Sequence, residues 1–168
     1  MLLEAELEKN TRFALVLAQA LPRVKAAQVE SVAIGGGNYR IRVVFANTGF
    51  LPTYGAKRAL EVHATAESAL VTLQLDEGVE IVSGPGPRVK LPHLEGRCRA
   101  EIGGSALNPF MSNGIAGGGG WWVGNAHEAR LEWVLCGMAG SSVTVCGDFG
   151  RGGRVEVAVA LAAGDAKL

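Results

Sequence analysis

The sequence has few cysteines and no net charge, and both shortages exclude classes of protein. The three cysteines, Cys98, Cys136 and Cys146, are an odd and sparse set that is not a disulfide framework. We expect them to be reduced, partly buried thiols. The 16 Lys and Arg residues balance the 16 Asp and Glu residues. This balance argues against a protein that binds nucleic acid or an anionic membrane through a basic surface, and neither partner is expected.

A long hydrophobic run is also missing. Residues 13–21 are mostly apolar, but the stretch is too short to span a bilayer. Glu4, Glu6 and Glu8 precede it, where a signal peptide needs net positive charge. We expect a soluble chain without an export signal, and this pattern favours a cytoplasmic location.

The start of the chain has a helical pattern, and the rest does not. Apolar side chains recur over residues 2–21 at steps of three, four and seven, until Pro22 ends the pattern. This stripe is Leu3, Leu7, Ala14, Leu17 and Leu21. We predict a docking helix over residues 1–22 that packs on the remaining domain, residues 23–168, or on a partner. Exposed leucines on it would favour a homo-oligomer.

After Pro22 the apolar period changes to two. The alternation predicts strands at 28–34, 39–46, 57–64, 69–76, 78–82, 130–136, 142–147 and 154–161. Many short strands with close turns, and no long helices between them, predict a mainly β protein. The predicted architecture is an antiparallel β-sandwich of immunoglobulin or fibronectin type, with an N-terminal amphipathic helix. The glycine-rich residues 101–120 predict a flexible loop.

The strands 130–136 and 142–147 are predicted to form a hairpin. Pairing Trp133 with Val145 places apolar residues opposite each other, as does pairing Leu135 with Val143. This register separates the two cysteines at 136 and 146 along the ladder, so no disulfide between them is expected.

Catalytic and metal-binding patterns are weak. No histidine has a glutamate three residues downstream, and Gly-x-Ser-x-Gly is absent. His93 and Glu95 have a spacing that two metal ligands on one strand could use, but zinc needs three or four ligands. We therefore expect no catalytic residue, no metal ligand and no cofactor in this chain. A hydrolase with its own site near His93 or His127 is an alternative.

The adjacent pair Trp121 and Trp122 is the most unusual local feature. On a strand the two rings point to opposite faces, so one of them can be exposed beside the glycine-rich loop. Tyr54 is a similar candidate. These three residues are the candidate binding site for a carbohydrate or a partner protein. The alternative, which we favour, is that all three are packing residues.

Several sequence blocks together resemble the C-terminal β-sandwich region that follows the catalytic domain in a group of bacterial zinc metallocarboxypeptidases. The blocks are residues 39–54 with Ala59-Leu60-Glu61, Leu94-Glu95-Gly96-Arg97, Trp121-Trp122, 129–134 and 143–145. The segment Asn-Thr-Gly-Phe-Leu-Pro-Thr-Tyr, residues 47–54, is the most specific of them. Residues 8–15 also look like the helix that links the two parts.

The resemblance implies a role without catalysis. In that family a His-x-x-Glu pair and a distant His hold the catalytic zinc, and a Glu is the general base; none of these can be placed on this chain. The resemblance therefore implies a non-catalytic accessory domain that packs on the catalytic peptidase domain of a parent protein, where the zinc would be bound. A stand-alone carbohydrate- or protein-binding module is the alternative.

Overall fold

The computed structural model of the chain describes residues 2–55, 62, 68–97, 122–123 and 127–161. They form one α-helix, nine β-strands and a short 3-10 turn, Gly150–Gly152. The elements are α1 (Leu2–Ala20), β1 (Val24–Gly35), β2 (Asn38–Asn47), β3 (Ala69–Leu75), β4 (Glu80–Ser83), β5 (Arg88–Leu91), β6 (Trp122–Val123), β7 (Glu128–Cys136), β8 (Ser142–Asp148) and β9 (Arg154–Ala160).

The strands pair into two antiparallel sheets. In the first sheet the order is β1-β2-β7-β4, and the short β6 pairs with a different stretch of β7. In the second sheet the order is β5-β3-β8-β9. The predicted fold class, an antiparallel β-sandwich with an N-terminal helix, is confirmed.

The apolar faces predicted from alternation line the interior between the sheets. On β2, Tyr39, Ile41, Val43 and Phe45 are all buried. They meet the inward face of the second sheet, where Val71 and Leu73 of β3 and Val145 of β8 are buried as well. The period of two thus predicts which side chains enter the core, because neighbouring side chains on a strand point to opposite faces.

The predicted hairpin between β7 and β8 is wrong. Trp133 lies opposite Ile41 of β2, whereas Val145 lies between Leu73 of β3 and Val157 of β9. The two strands belong to different sheets, and residues 137–141 carry the chain across. Both strands bury one apolar face whether they pair with each other or lie in different sheets. Alternation therefore identifies the buried face of a strand, but not the strand that pairs with it.

The connection 137–141 is held by both sheets. Gly137 N–H donates to Gly37 O of the β1–β2 turn at 3.0 Å. Gly140 N–H donates to Leu161 O, beyond β9, at 2.9 Å, and Leu161 N–H donates to Ser141 O at 2.8 Å. These bonds satisfy polar backbone groups that a hairpin ladder would otherwise have paired.

Cys136 and Cys146 are both free thiols, as predicted. The reason differs from the one given by the predicted register, because the two residues lie in different sheets. Cys146 is buried and Cys136 is exposed. Cys98, the predicted strand 57–64 apart from Val62, and the predicted loop 101–120 lie outside the described residues.

The predicted N-terminal helix is confirmed, but its side chains do not enter the core. Residues 3–19 are exposed, and Leu7, Phe13 and Leu17 are each at least half exposed. Among the described residues, the sandwich binds the end of the helix, where Leu51 N–H donates to Ala20 O at 2.9 Å. Within the described ranges, no helix has the length and apolar character needed to span a bilayer.

Candidate functional site at the Asn47 end of the sandwich

Buried polar side chains gather at one end of the sandwich, which we call the Asn47 end. Here β2 and β5 end and β1 begins. Three buried polar or charged residues in the described part of the chain lie here: Asn47, Thr53 and Glu95, each no more than 4% exposed. Together with Tyr54 and His93 we call them the polar cluster. A buried polar group costs free energy unless it is hydrogen-bonded, so their contacts define the site.

Asn47 connects four backbone groups where β2 ends. Its Oδ1 accepts hydrogen bonds from Arg23 N–H and Gly49 N–H, both at 3.0 Å. Its Nδ2 donates to Leu51 O at 2.9 Å and to Glu95 O at 3.1 Å. One side chain therefore ties the start of β1, the loop after β2 and the segment after β5 together.

Thr53 joins the loop after β2 to the segment after β5. Its N–H donates to Leu94 O at 2.9 Å. Leu94 N–H donates in return to Thr53 Oγ1, also at 2.9 Å. Because Leu94 is fully buried in the core, these bonds fix both irregular segments to the sandwich without a strand ladder.

Tyr54, His93 and Glu95 form the outer part of the polar cluster. The Tyr54 hydroxyl donates to Glu95 Oε2 at 2.8 Å. The Tyr54 and His93 rings meet edge to face, with centroids 6.1 Å apart. His93 Nδ1 also lies 3.3 Å from Thr53 Oγ1. Both residues of the His-x-Glu pair thus contact the same tyrosine.

Two glycines allow the segments of this end to approach closely. A Cβ at Gly96 would collide with the carbonyl oxygen of Phe50 and the backbone of Leu51. A Cβ at Gly49 would collide with Leu21 O and lie 2.7 Å from Arg23 N. Glycine is therefore required at both positions by space rather than by backbone conformation.

Of the three predicted binding residues, only Tyr54 has a described side chain. It is buried, at 8% exposure, which agrees with a packing residue rather than an exposed contact. Trp121 lies outside the described residues. The backbone of Trp122 forms β6 and is paired with Leu131 of β7.

The described residues do not fit a zinc site. Among them, no group of three or more His, Cys, Asp and Glu side chains could hold a metal ion. His127, the other histidine considered for catalysis, is partly exposed, and its Nε2 lies 3.9 Å from Glu128 Oε1. His63 lies outside the described residues.

Sequence reasoning missed the roles of Asn47, Thr53 and Glu95. The sequence pattern places Asn47 at the end of a strand, and it gives Glu95 a spacing from His93 that two metal ligands could use, at a position where no metal is expected. The available signal was the dense sequence of Asn, Gly, Pro and Thr over residues 47–53, since short polar side chains often bond backbone groups where strands end. The partner segment, about 40 positions further on, had no such signal.

The geometry defines a β-sandwich domain whose one end is closed by a buried polar cluster. The family model "Domain of unknown function (DUF8731)" matches residues 23–160, from the residue before β1 to the end of β9. The chain belongs to this family. No curated protein and no solved structure matched the chain.

We predict that Asn47→Ala strongly destabilises the domain. The change leaves two N–H groups and two carbonyl groups without their partner at a mostly buried site, so the free energy of unfolding should fall by about 3–5 kcal/mol. Asn38→Ala, at the partly exposed start of the same strand, removes two longer hydrogen bonds, to Gly35 O at 3.3 Å and to Gly36 O at 3.4 Å, and should cost no more than about 1 kcal/mol. Urea unfolding of both variants measures the difference, and equal losses would contradict the role of Asn47.

Tyr54→Phe should lower the free energy of unfolding by about 1–3 kcal/mol, because it removes a buried hydrogen bond to a carboxylate. The control is Tyr39→Phe at the chain's other tyrosine, which is also buried. The Tyr39 hydroxyl makes no hydrogen bond within the part of the chain that the structure describes, so its loss should be nearly neutral. Equal effects of the two changes in thermal unfolding would argue against the Tyr54–Glu95 bond.

Proposed function

We propose that this chain is a non-catalytic accessory β-sandwich domain of a zinc carboxypeptidase-like protein, in which it packs on and supports the catalytic domain. The observation that carries the proposal is that two blocks of the resemblance, residues 39–54 and 94–97, are in direct contact. Hydrogen bonds from Asn47 to Glu95, from Tyr54 to Glu95 and between Thr53 and Leu94 join them. Blocks that are far apart in the sequence but pack together in the structure support a likeness of the whole fold, and not only of short sequence segments.

The polar cluster supports a structural role. Its side chains are hydrogen-bonded to other groups of the same protein, as the Tyr54–Glu95 bond of 2.8 Å illustrates. Asn47, Thr53 and Glu95 are almost fully buried. Groups engaged in this way hold loops in place, whereas a catalytic group must reach a substrate.

The surface for the catalytic domain would lie on α1 and on the sandwich beside it. Leu15 and Val16 of α1 are about 60% exposed, and Phe50 on the adjoining loop is 47% exposed. Exposed large apolar side chains can serve as contacts with another folded unit. The catalytic zinc and its ligands would belong to that domain.

The alternative is a stand-alone carbohydrate- or protein-binding module that uses Trp121, Trp122 and Tyr54. The burial of Tyr54 removes one of these three side chains from an exposed platform. Glycan binding that disappears in Trp122→Ala, with stability unchanged, would favour this alternative over the accessory domain.

The proposal predicts that the purified chain with added zinc does not release the C-terminal residue from peptide substrates. A zinc carboxypeptidase under the same conditions is the positive control. A catalytic domain with a His-x-x-Glu segment is expected in the same reading frame or in a neighbouring one. Co-expression of that catalytic domain with this chain should raise the melting temperature of this chain. Turnover by the chain alone, abolished by a chelator and by His93→Ala, would overturn the proposal.

A further inference from the structure

The charges of the sandwich are divided between its two ends. Opposite the Asn47 end lies the end at which β2 begins and β3 ends, which we call the Asp76 end. Its charged residues, among the connections and the last two positions of the strands that the structure describes there, are Asp76, Glu77 and Glu80. All three are exposed, and no lysine or arginine accompanies them in that region. This end is therefore acidic.

The Asn47 end carries the opposite charge. The described connections and strand ends there contain six basic and three acidic residues, so the basic residues are in excess. The acidic residues are Glu95, which is buried, Glu128 and Asp148. The basic residues, all of them exposed, are Arg23, Lys25, Lys90, Arg97, Arg151 and Arg154.

Three of the arginines lie along the loop after β2, residues 48–55, although they are far apart in the chain. Arg23 N is 2.7 Å from the position that a Cβ of Gly49 would take, and Arg97 N–H donates to Gly49 O at 3.1 Å. The Arg151 guanidinium lies against the last residue of the loop. Within the described part of the chain, none of the three forms an ion pair with a carboxylate. Their charges are therefore available to another molecule.

Apolar side chains are exposed beside Arg23 and Arg97. Phe50 is 47% exposed, and Leu21, whose carbonyl oxygen lies against Gly49, is 53% exposed. Arginine and aromatic residues are enriched in the surfaces through which proteins contact each other. The Asn47 end combines these two kinds of residue.

We propose that the Asn47 end binds an acidic surface of another protein. Arg23, Arg97 and Arg151 face carboxylates of that protein, and Phe50 and Leu21 pack on apolar side chains among them. Complementary charges fix which surfaces meet, and the apolar contact adds affinity that exposed ion pairs alone do not supply.

The two ends of the sandwich act as separate charges because they are far apart. β2 has 10 residues and is about 30 Å long, several times the distance of about 8 Å over which physiological salt screens a charge. An acidic surface is attracted to the Asn47 end and repelled by the Asp76 end. The division of charge therefore selects the orientation in which the domain binds.

The surface favours a protein over a nucleic acid or an anionic membrane. Those polyanions are bound by surfaces of one sign, such as clusters of about 4–8 Lys and Arg residues. At the Asn47 end Glu128 and Asp148 lie among the basic residues and would repel a dense array of phosphates. A protein surface carries charges of both signs and can place basic side chains opposite these two.

This inference does not depend on the proposed function, because it states the charge of the bound surface whichever protein carries it. In the proposed accessory role that surface belongs to the catalytic domain, since α1 leaves the sandwich at the Asn47 end.

Fluorescence anisotropy of a labelled random copolymer of glutamate and tyrosine, titrated with the chain, tests the binding. This copolymer is acidic and carries apolar rings. The chain should bind it, more weakly as salt is added, and should bind polyglutamate more weakly and the lysine–tyrosine copolymer not at all. Absence of binding to the glutamate–tyrosine copolymer, or equal binding of any two of these probes, would overturn the proposal.

Two variants with the same change of net charge locate the binding surface. Arg23→Glu with Arg97→Glu should weaken binding of the glutamate–tyrosine copolymer by about tenfold, because two attractions become repulsions. Arg40→Glu with Arg88→Glu, the matched control on the outward faces of β2 and β5, should leave the affinity within about twofold. Equal losses would show an effect of net charge alone and contradict the proposal. Thermal unfolding verifies that both variants are folded.

Heparin and vesicles of phosphatidylcholine with phosphatidylserine distinguish a protein from the other polyanions. At the same salt concentration the chain should bind both more weakly than the glutamate–tyrosine copolymer. Tighter binding of heparin or of the vesicles, lost in Arg23→Glu with Arg97→Glu, would show a phosphate- or sulfate-bearing partner and overturn the proposal.

Discussion

The structure depends on the satisfaction of backbone polar groups where the strands end. A sheet ladder pairs these groups only along the strands, and at the Asn47 end the chain leaves the ladder in three places while remaining packed on the core. Asn47 supplies two acceptor and two donor contacts to those places within 3.1 Å. Because an unpaired buried amide or carbonyl costs about 1–3 kcal/mol, this side chain lets irregular segments stay buried.

This constraint connects the fold to the proposed role. The segment Leu94–Gly96 is buried although it is not a strand, and it contacts the loop after β2 through Thr53, Tyr54 and Asn47. The same loop bonds the end of α1 through Leu51. The polar cluster therefore fixes the point at which the exposed helix leaves the sandwich.

Much of the fold could be predicted from the sequence, because the change of apolar period from 3.6 to 2 at Pro22 is a local signal. The inward faces of β2, β3 and β9 follow from it. The pairing partners of β7 and β8 do not follow from it. Trp133 and Val145 are buried both in the predicted hairpin and in the observed sheets, and the strands that pair with them lie far away in the chain. The polar cluster was equally hidden: Tyr54 and His93 were noticed separately, and only the fold brings them together.

Native-state hydrogen exchange tests the central claim most directly. The account predicts that the amides of Arg23, Gly49 and Leu94, which lie outside the strands but donate to Asn47 or Thr53, exchange only on global unfolding, as slowly as core amides of β2. Exchange of these three amides at the rate of exposed loops, with β2 still protected, would contradict it.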